Sequence, residues 1–113
     1  VKIVVLDESK KMRQKITETL EEKGHTVITC LASGAFMDAI ESSTPGKVLM
    51  NVDSWKHGKA MYTYFKIQKR LEDIPIVFYN VPDKFTSITD RNPHKDDKIY
   101  SRQTAIEDIL NEF

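Results

Sequence analysis

Apolar residues along this chain fall into two rhythms, short unbroken runs and longer helical stripes. Lys2-Ile3-Val4-Val5-Leu6 is a β-rich run that ends in Asp7-Glu8, after which Ser9 is placed to cap a helix. Met12, Ile16 and Leu20 then recur at helical spacing, with Gly24 as a C-terminal stop. The β-branched residues Thr26, Val27, Ile28 and Thr29 predict a second strand within His25 to Leu31. A second helix follows from Ser33, with apolar positions Ala35, Phe36, Ala39 and Ile40, and Pro45-Gly46 ends it. A third helix is expected from about Lys59 to Leu71, with Met61, Tyr64, Phe65, Gln68 and Leu71 on its mostly apolar face and Tyr62 pointing away. Ile74 to Tyr79 reads as a fourth buried strand whose proline lies near its start, where a missing donor is tolerated. Phe85 and Ile88 suggest a short helix broken by Asn92-Pro93, Lys98 to Ser101 a fifth strand, and Ile106, Ile109, Leu110 and Phe113 the stripe of a last helix. Strands alternating with helices at this spacing predict parallel strands with right-handed crossovers, hence a three-layer α/β/α sandwich.

The run Lys47-Val48-Leu49-Met50-Asn51-Val52-Asp53 is the central strand of that plan. With no polar alternation it has no wet face, so it is buried on both sides of a parallel sheet. The carboxyl ends of such strands are where α/β sheets place their ligands. This one presents Asn51.

Composition narrows the field by exclusion. At 113 residues the chain is one domain, and 17 Lys plus Arg against 17 Asp plus Glu leave no net charge. Neutrality gives no electrostatic reason to expect a nucleic-acid or polybasic membrane surface. No apolar run approaches the ~20 residues of a membrane span, and no secretory signal precedes the first strand. A single cysteine, Cys30, cannot form an internal disulfide, so a reducing cytoplasm is the expected setting.

The segment Val4-Val5-Leu6-Asp7-Glu8-Ser9 with Met12-Arg13 and Ile16 resembles the first strand and helix of response-regulator receiver domains, the CheY-like superfamily. Ser33-Gly34-Ala35 and Ile74-Pro75-Ile76-Val77 are similar to the same family's second helix and fourth strand, and the resemblance covers nearly the whole chain. It implies a flavodoxin-like fold with a five-stranded parallel sheet in the order 2-1-3-4-5 and a pocket above strands one, three and four. Residues 1–113 would then be one receiver-like domain, expected to be excised from a longer protein.

In active members an aspartate closing the third strand accepts a phosphoryl group from a histidine kinase. An acidic pair holds Mg²⁺, and a Ser or Thr and a Lys contact the phosphoryl oxygens. The resemblance places Asp7 and Glu8 at the acidic pair, Asn51 at the phosphoacceptor and Asn80 at the Ser/Thr position. No Lys-Pro pair exists, and Arg102 is the best match for the lysine; Ser54-Trp55-Lys56-His57 occupies the loop where the family carries a proline.

A carboxamide oxygen is a far weaker nucleophile than a carboxylate and cannot yield an acyl phosphate. Asn51 also removes one of three negative charges that would favour a hard cation. Only weak or vestigial Mg²⁺ binding at Asp7 and Glu8 is expected, improved by Asn51→Asp. Arg102 turned inward could bind Asp7 or Glu8 bidentately in the metal's place, and Asn80 could pair with Asn51. Two readings would rescue activity. Asp53 could be a displaced acceptor, although side chains two apart on a strand are separated by ~6.6 Å; a solvated loop aspartate is the plainer account. A bulge could also shift the register.

His25, His57 and His94 show no metal-ligand spacing and read as surface residues; Cys30 reads as core packing. Trp55 is expected either to lid the pocket or to anchor a partner. Lys66, Lys69 and Arg70 form a solvated basic face. The favoured reading is a pseudo-receiver, not an enzyme: a phosphorylation-independent protein-interaction module of bacterial two-component signalling, displaying a standing partner surface near Phe85, Ile88 and Tyr100. The alternative is a conventional Mg²⁺-dependent phosphoacceptor using Asp53. A flavodoxin-like ligand binder is a third class, disfavoured because no loop offers an anion nest.

Overall fold

Apolar runs without polar alternation must be covered on both sides, and a parallel sheet between helical layers does this. The computed structural model of the protein describes residues 1–56, 73–82 and 96–113. Strands β1 (Lys2–Leu6), β2 (Thr26–Cys30), β3 (Lys47–Asn51), β4 (Ile76–Val81) and β5 (Lys98–Ser101) form one sheet in the order β2-β1-β3-β4-β5. All four pairings are parallel, with Val5 opposite Leu49 and Leu49 opposite Val77. Helices α1 (Lys10–Glu22), α2 (Ser33–Ser43) and a last helix (Ile106–Leu110) flank the sheet. This is the flavodoxin-like α/β/α sandwich, with the predicted strand order.

Side-chain parity divides the core into two layers. Ile3, Val5, Leu49, Val77 and Tyr79 pack with Ile16 and Leu20 of α1 and with Ile109 and Leu110 of the last helix. Val4, Leu6, Val48, Met50, Ile76 and Phe78 face the other way, toward Phe36 and Ile40 of α2. Cys30 is buried at the edge of that second layer, where burial pushes its thiol up despite the opposing charge of Arg13.

Local chemistry fixes the element ends. Ser9 caps α1 by accepting the Met12 N–H at 3.2 Å. At the other end Gly24, at φ +90°, donates to the Glu21 carbonyl while His25 donates to that of Leu20. That pair of bonds is a Schellman motif, and its left-handed residue is the one a side chain would strain.

Several expectations need correction. The central strand ends at Asn51, and Val52–Ser54 is a turn of 3₁₀ helix. The Asn51 Oδ1 accepts the Asp53 N–H at 3.0 Å, and this local bond draws the chain out of the ladder. Asp53 therefore sits on a turn, not one pleat up the strand. Strand β4 runs to Val81, two residues past its predicted end, because Val81 pairs with Ser101. On α2 the inward face is set by Phe36 and Ile40, which leaves Ala35 exposed and brings Met37 against the core.

His25 is half-buried rather than a surface residue, its Nε2 at 3.0 Å from the Phe113 carbonyl. Tyr100 is half-buried at the edge of the α1-side core, with its hydroxyl on the Glu112 carboxylate. The third helix with Tyr62, Lys66, Lys69 and Arg70, the helix around Phe85 and Ile88, and His57 and His94 all lie outside the described residues. Among the described residues, no helix is long and apolar enough to cross a membrane.

Candidate functional site

Parity carries three polar groups to the same place. Asp7 continues the face of Ile3 and Val5 past the end of β1, and Asn51 continues that of Leu49 at the end of β3. Tyr79 is paired with Asn51 across β3 and β4. These residues, with Asn80, Arg102, Met12, Thr104, Ile106 and Ile109, line a cleft of about 240 Å³ at the carboxyl edge of the sheet.

Asp7 is the centre of the cleft and is only 2% exposed. Burying a carboxylate is costly unless donors surround it, and here three do. Its Oδ1 accepts the Ser9 N–H at 2.8 Å; its Oδ2 accepts the Asn51 amide at 3.1 Å and the Tyr79 hydroxyl. The Arg13 guanidinium donates to the Asp7 backbone carbonyl at 2.9 Å. Burial pushes the Tyr79 phenol well above the usual tyrosine range, and its hydrogen bond to Asp7 and the charge there add to the effect. Tyr79 therefore stays a neutral O–H donor to a carboxylate.

Asn51 is oriented without ambiguity. Its Oδ1 accepts from the Asp53 N–H and from Asn80 Nδ2 at 3.3 Å, and its Nδ2 faces Asp7. Flipping the amide would turn oxygen against carboxylate and NH₂ against two donors. The expected contact between Asn51 and Asn80 is thus present. Asn80 itself has φ +60°, a left-handed backbone that asparagine tolerates, at an irregularity in the β4–β5 register between Phe78 and Val81.

Arg102 corrects the inward-turning expectation. It is placed at the cleft, yet its Nη2 donates to Asp53 Oδ1 at 2.8 Å and not to Asp7 or Glu8. The 3₁₀ turn makes this possible by lifting Asp53 to the rim, where Asn80 Nδ2 also reaches its Oδ2 at 2.7 Å. Asp53 is therefore no free loop aspartate. Glu8 is not among the residues lining the cleft: its carboxylate is exposed, with Lys56 Nζ at 3.8 Å, while its N–H donates to Ser54 Oγ at 3.0 Å.

Trp55 is neither lid nor exposed anchor. It is 8% exposed and packs edge-on against Phe36 at 6.2 Å between ring centroids, in the α2-side core. The turn after Asn51 sends it to the opposite side of the sheet from the cleft. Tyr79 is the site residue that sequence reasoning missed, since an aromatic in a buried strand reads as packing alone.

The donor set can be tested against Mg²⁺, which demands octahedral oxygen ligands. Both Asp7 oxygens are already engaged by protein donors, an NH₂ group stands where a third anionic oxygen would, and the exposed Glu8 does not line the cleft. Among the described residues no three His, Cys, Asp or Glu are grouped to share a metal. As arranged, these residues do not fit the ion.

No family model matches the sequence, and no curated protein matches it. Solved structures do. The chain is similar to the chemotaxis response regulator CheY4 of Vibrio cholerae, with a TM-score of 0.80 at 16% identity over 99% of this chain and 94% of that one. It is also similar to the BeF3-activated N-terminal receiver domain of Klebsiella pneumoniae RstA, at TM-score 0.74, 17% identity and coverage of 99% and 94%. A third is the N-terminal domain of a response regulator/sensory box/GGDEF 3-domain protein from Carboxydothermus hydrogenoformans, at TM-score 0.72, 18% identity and coverage of 99% and 91%. At such identities the likeness is one of fold, and the fold is that of CheY-like receiver domains.

Proposed function

We propose that this domain is a receiver-type module of two-component signalling that works without phosphorylation, as a protein-interaction and regulatory unit and not as an enzyme. The receiver fold supports the coarser part of that reading, and the occurrence of this fold as one part of a three-domain response regulator supports a covalently linked or separate protein partner. One observation carries the finer part. Asn51 stands at the end of β3 with its amide committed on both sides, to Asp7 and to Asp53 and Asn80. A carboxamide so held supplies no nucleophile for phosphorus.

The competing reading, an Mg²⁺-dependent acceptor at Asp53, has that side chain's 43% exposure in its favour. Against it, one oxygen of Asp53 is bonded to Arg102 and the other to Asn80. Incubation with a small-molecule phosphoryl donor and Mg²⁺, followed by intact mass measurement, separates the two. The unmodified domain is expected to gain no phosphoryl group. A gain that disappears in Asp53→Asn would overturn the proposal and establish the competing one.

A further inference from the structure

We infer that Tyr79 takes over the cation's task at Asp7, so that two residues and not one close this pocket to a divalent metal. The inference deepens the proposed phosphorylation-independent reading and rests on it. The substitution of Asn51 is visible in the sequence and invites the expectation that Asn51→Asp alone would restore a metal site. The structure argues otherwise.

A carboxylate buried to 2% exposure needs positive or donating neighbours in place of water. A metal would meet that need in one way. Here the Tyr79 hydroxyl meets it, together with the Asn51 amide on the same oxygen and the Ser9 N–H on the other. Tyr79 is not free to withdraw. Its ring is 5% exposed and is packed among Val5, Leu49, Val77 and Ile109, so the O–H is held at Asp7 by the core itself. Its pairing across the sheet with Asn51 brings both donors to one carboxylate oxygen.

Replacing Asn51 with a carboxylate removes one donor and adds one anionic oxygen. The Tyr79 hydroxyl still occupies Asp7 Oδ2. A hard cation at that point must compete with a donor that the fold cannot move aside. Removing the hydroxyl while keeping the ring, as Tyr79→Phe does, frees the oxygen without emptying the core.

The test is Mg²⁺ titration by calorimetry on the unmodified domain, Asn51→Asp, Tyr79→Phe and the double variant. Circular dichroism on each protein checks that it is folded. The double variant is expected to bind Mg²⁺ at least about tenfold more tightly than Asn51→Asp, the fold-change that corresponds to releasing one competing hydrogen bond to a charged group. Equal affinity of the double variant and Asn51→Asp overturns the inference. If the double variant does not fold, chemical denaturation of Tyr79→Phe, Asp7→Asn and their combination decides. Strong coupling between the two positions supports the inference, and additive effects overturn it. Phosphoryl uptake by the unmodified domain is a separate failure, which overturns the proposed function while leaving the role of Tyr79 to the titration.

Discussion

Two aspartates stand at the same edge of the sheet, share Asn51 as an intermediary, and live under different physics. Asp7 is enclosed and accepts three hydrogen bonds from donors fixed by β3, β4 and the start of α1. Asp53 sits at the rim with its side chain 43% exposed, held by Arg102 and Asn80. Each carboxylate oxygen of both has a partner in the structure, so the presence of partners does not distinguish them. Water does. Unpairing Asp7 strands buried donors, whereas unpairing Asp53 hands its groups to solvent.

Removing the inner carboxylate should therefore have the largest effect. Asp7→Ala leaves the Tyr79 hydroxyl and the Asn51 amide without their acceptor, and a loss of about 3 kcal/mol in urea denaturation is expected. A loss under about 1 kcal/mol, the range of an exposed pair, would erase the distinction between the two aspartates.

Tyr79→Phe comes next, at about 1.5–2 kcal/mol for one hydrogen bond to a charged group. It also has a pH signature. Burial, helped by the hydrogen bond and charge of Asp7, raises the folded-state phenol above its ordinary value of 10.0. A raised value means that stability is fully present below pH about 10 and is lost as pH climbs beyond it. Denaturation midpoints of the parent should fall toward those of Tyr79→Phe above that pH. Parallel curves throughout the alkaline range would contradict the buried neutral donor.

The smallest effect belongs to the rim. Arg102→Ala should cost about 0–1 kcal/mol, and the difference should shrink as salt rises, as for other exposed ion pairs. A salt-independent loss matching that of Asp7→Ala would mean that the outer aspartate is as deeply coupled to the fold as the inner one.

How much of this could be read beforehand follows the same division between local and distant. Ile16 and Leu20 repeat within one helix, Ser9 and Gly24 mark its ends, and the uniform apolar runs give parallel strands; each is a short-range signal. Asp7 and Asn51 were legible because they end such runs. Tyr79 was not, because its partner lies 72 positions away and its ring is ordinary strand packing. Trp55 and Arg102 were misplaced for a single reason. A side-chain bond from Asn51 to the backbone two residues on turns the chain after β3. That turn buries the tryptophan on the far face and raises Asp53 to meet the arginine. A strand read as continuing to Asp53 gives no hint of either.

The left-handed backbone at Asn80 sets which side chains can stand there. Threonine is β-branched and strongly disfavoured at positive φ, at a cost of roughly 1–2 kcal/mol or more, whereas asparagine enters that region with little penalty. Asn80→Thr would either strain the backbone or force β4 to straighten, and in both cases it removes the amide that holds Asn51 and Asp53. The bend in β4 thus limits which side chains position 80 accepts, and two hydrogen bonds at the rim of the cleft depend on that choice.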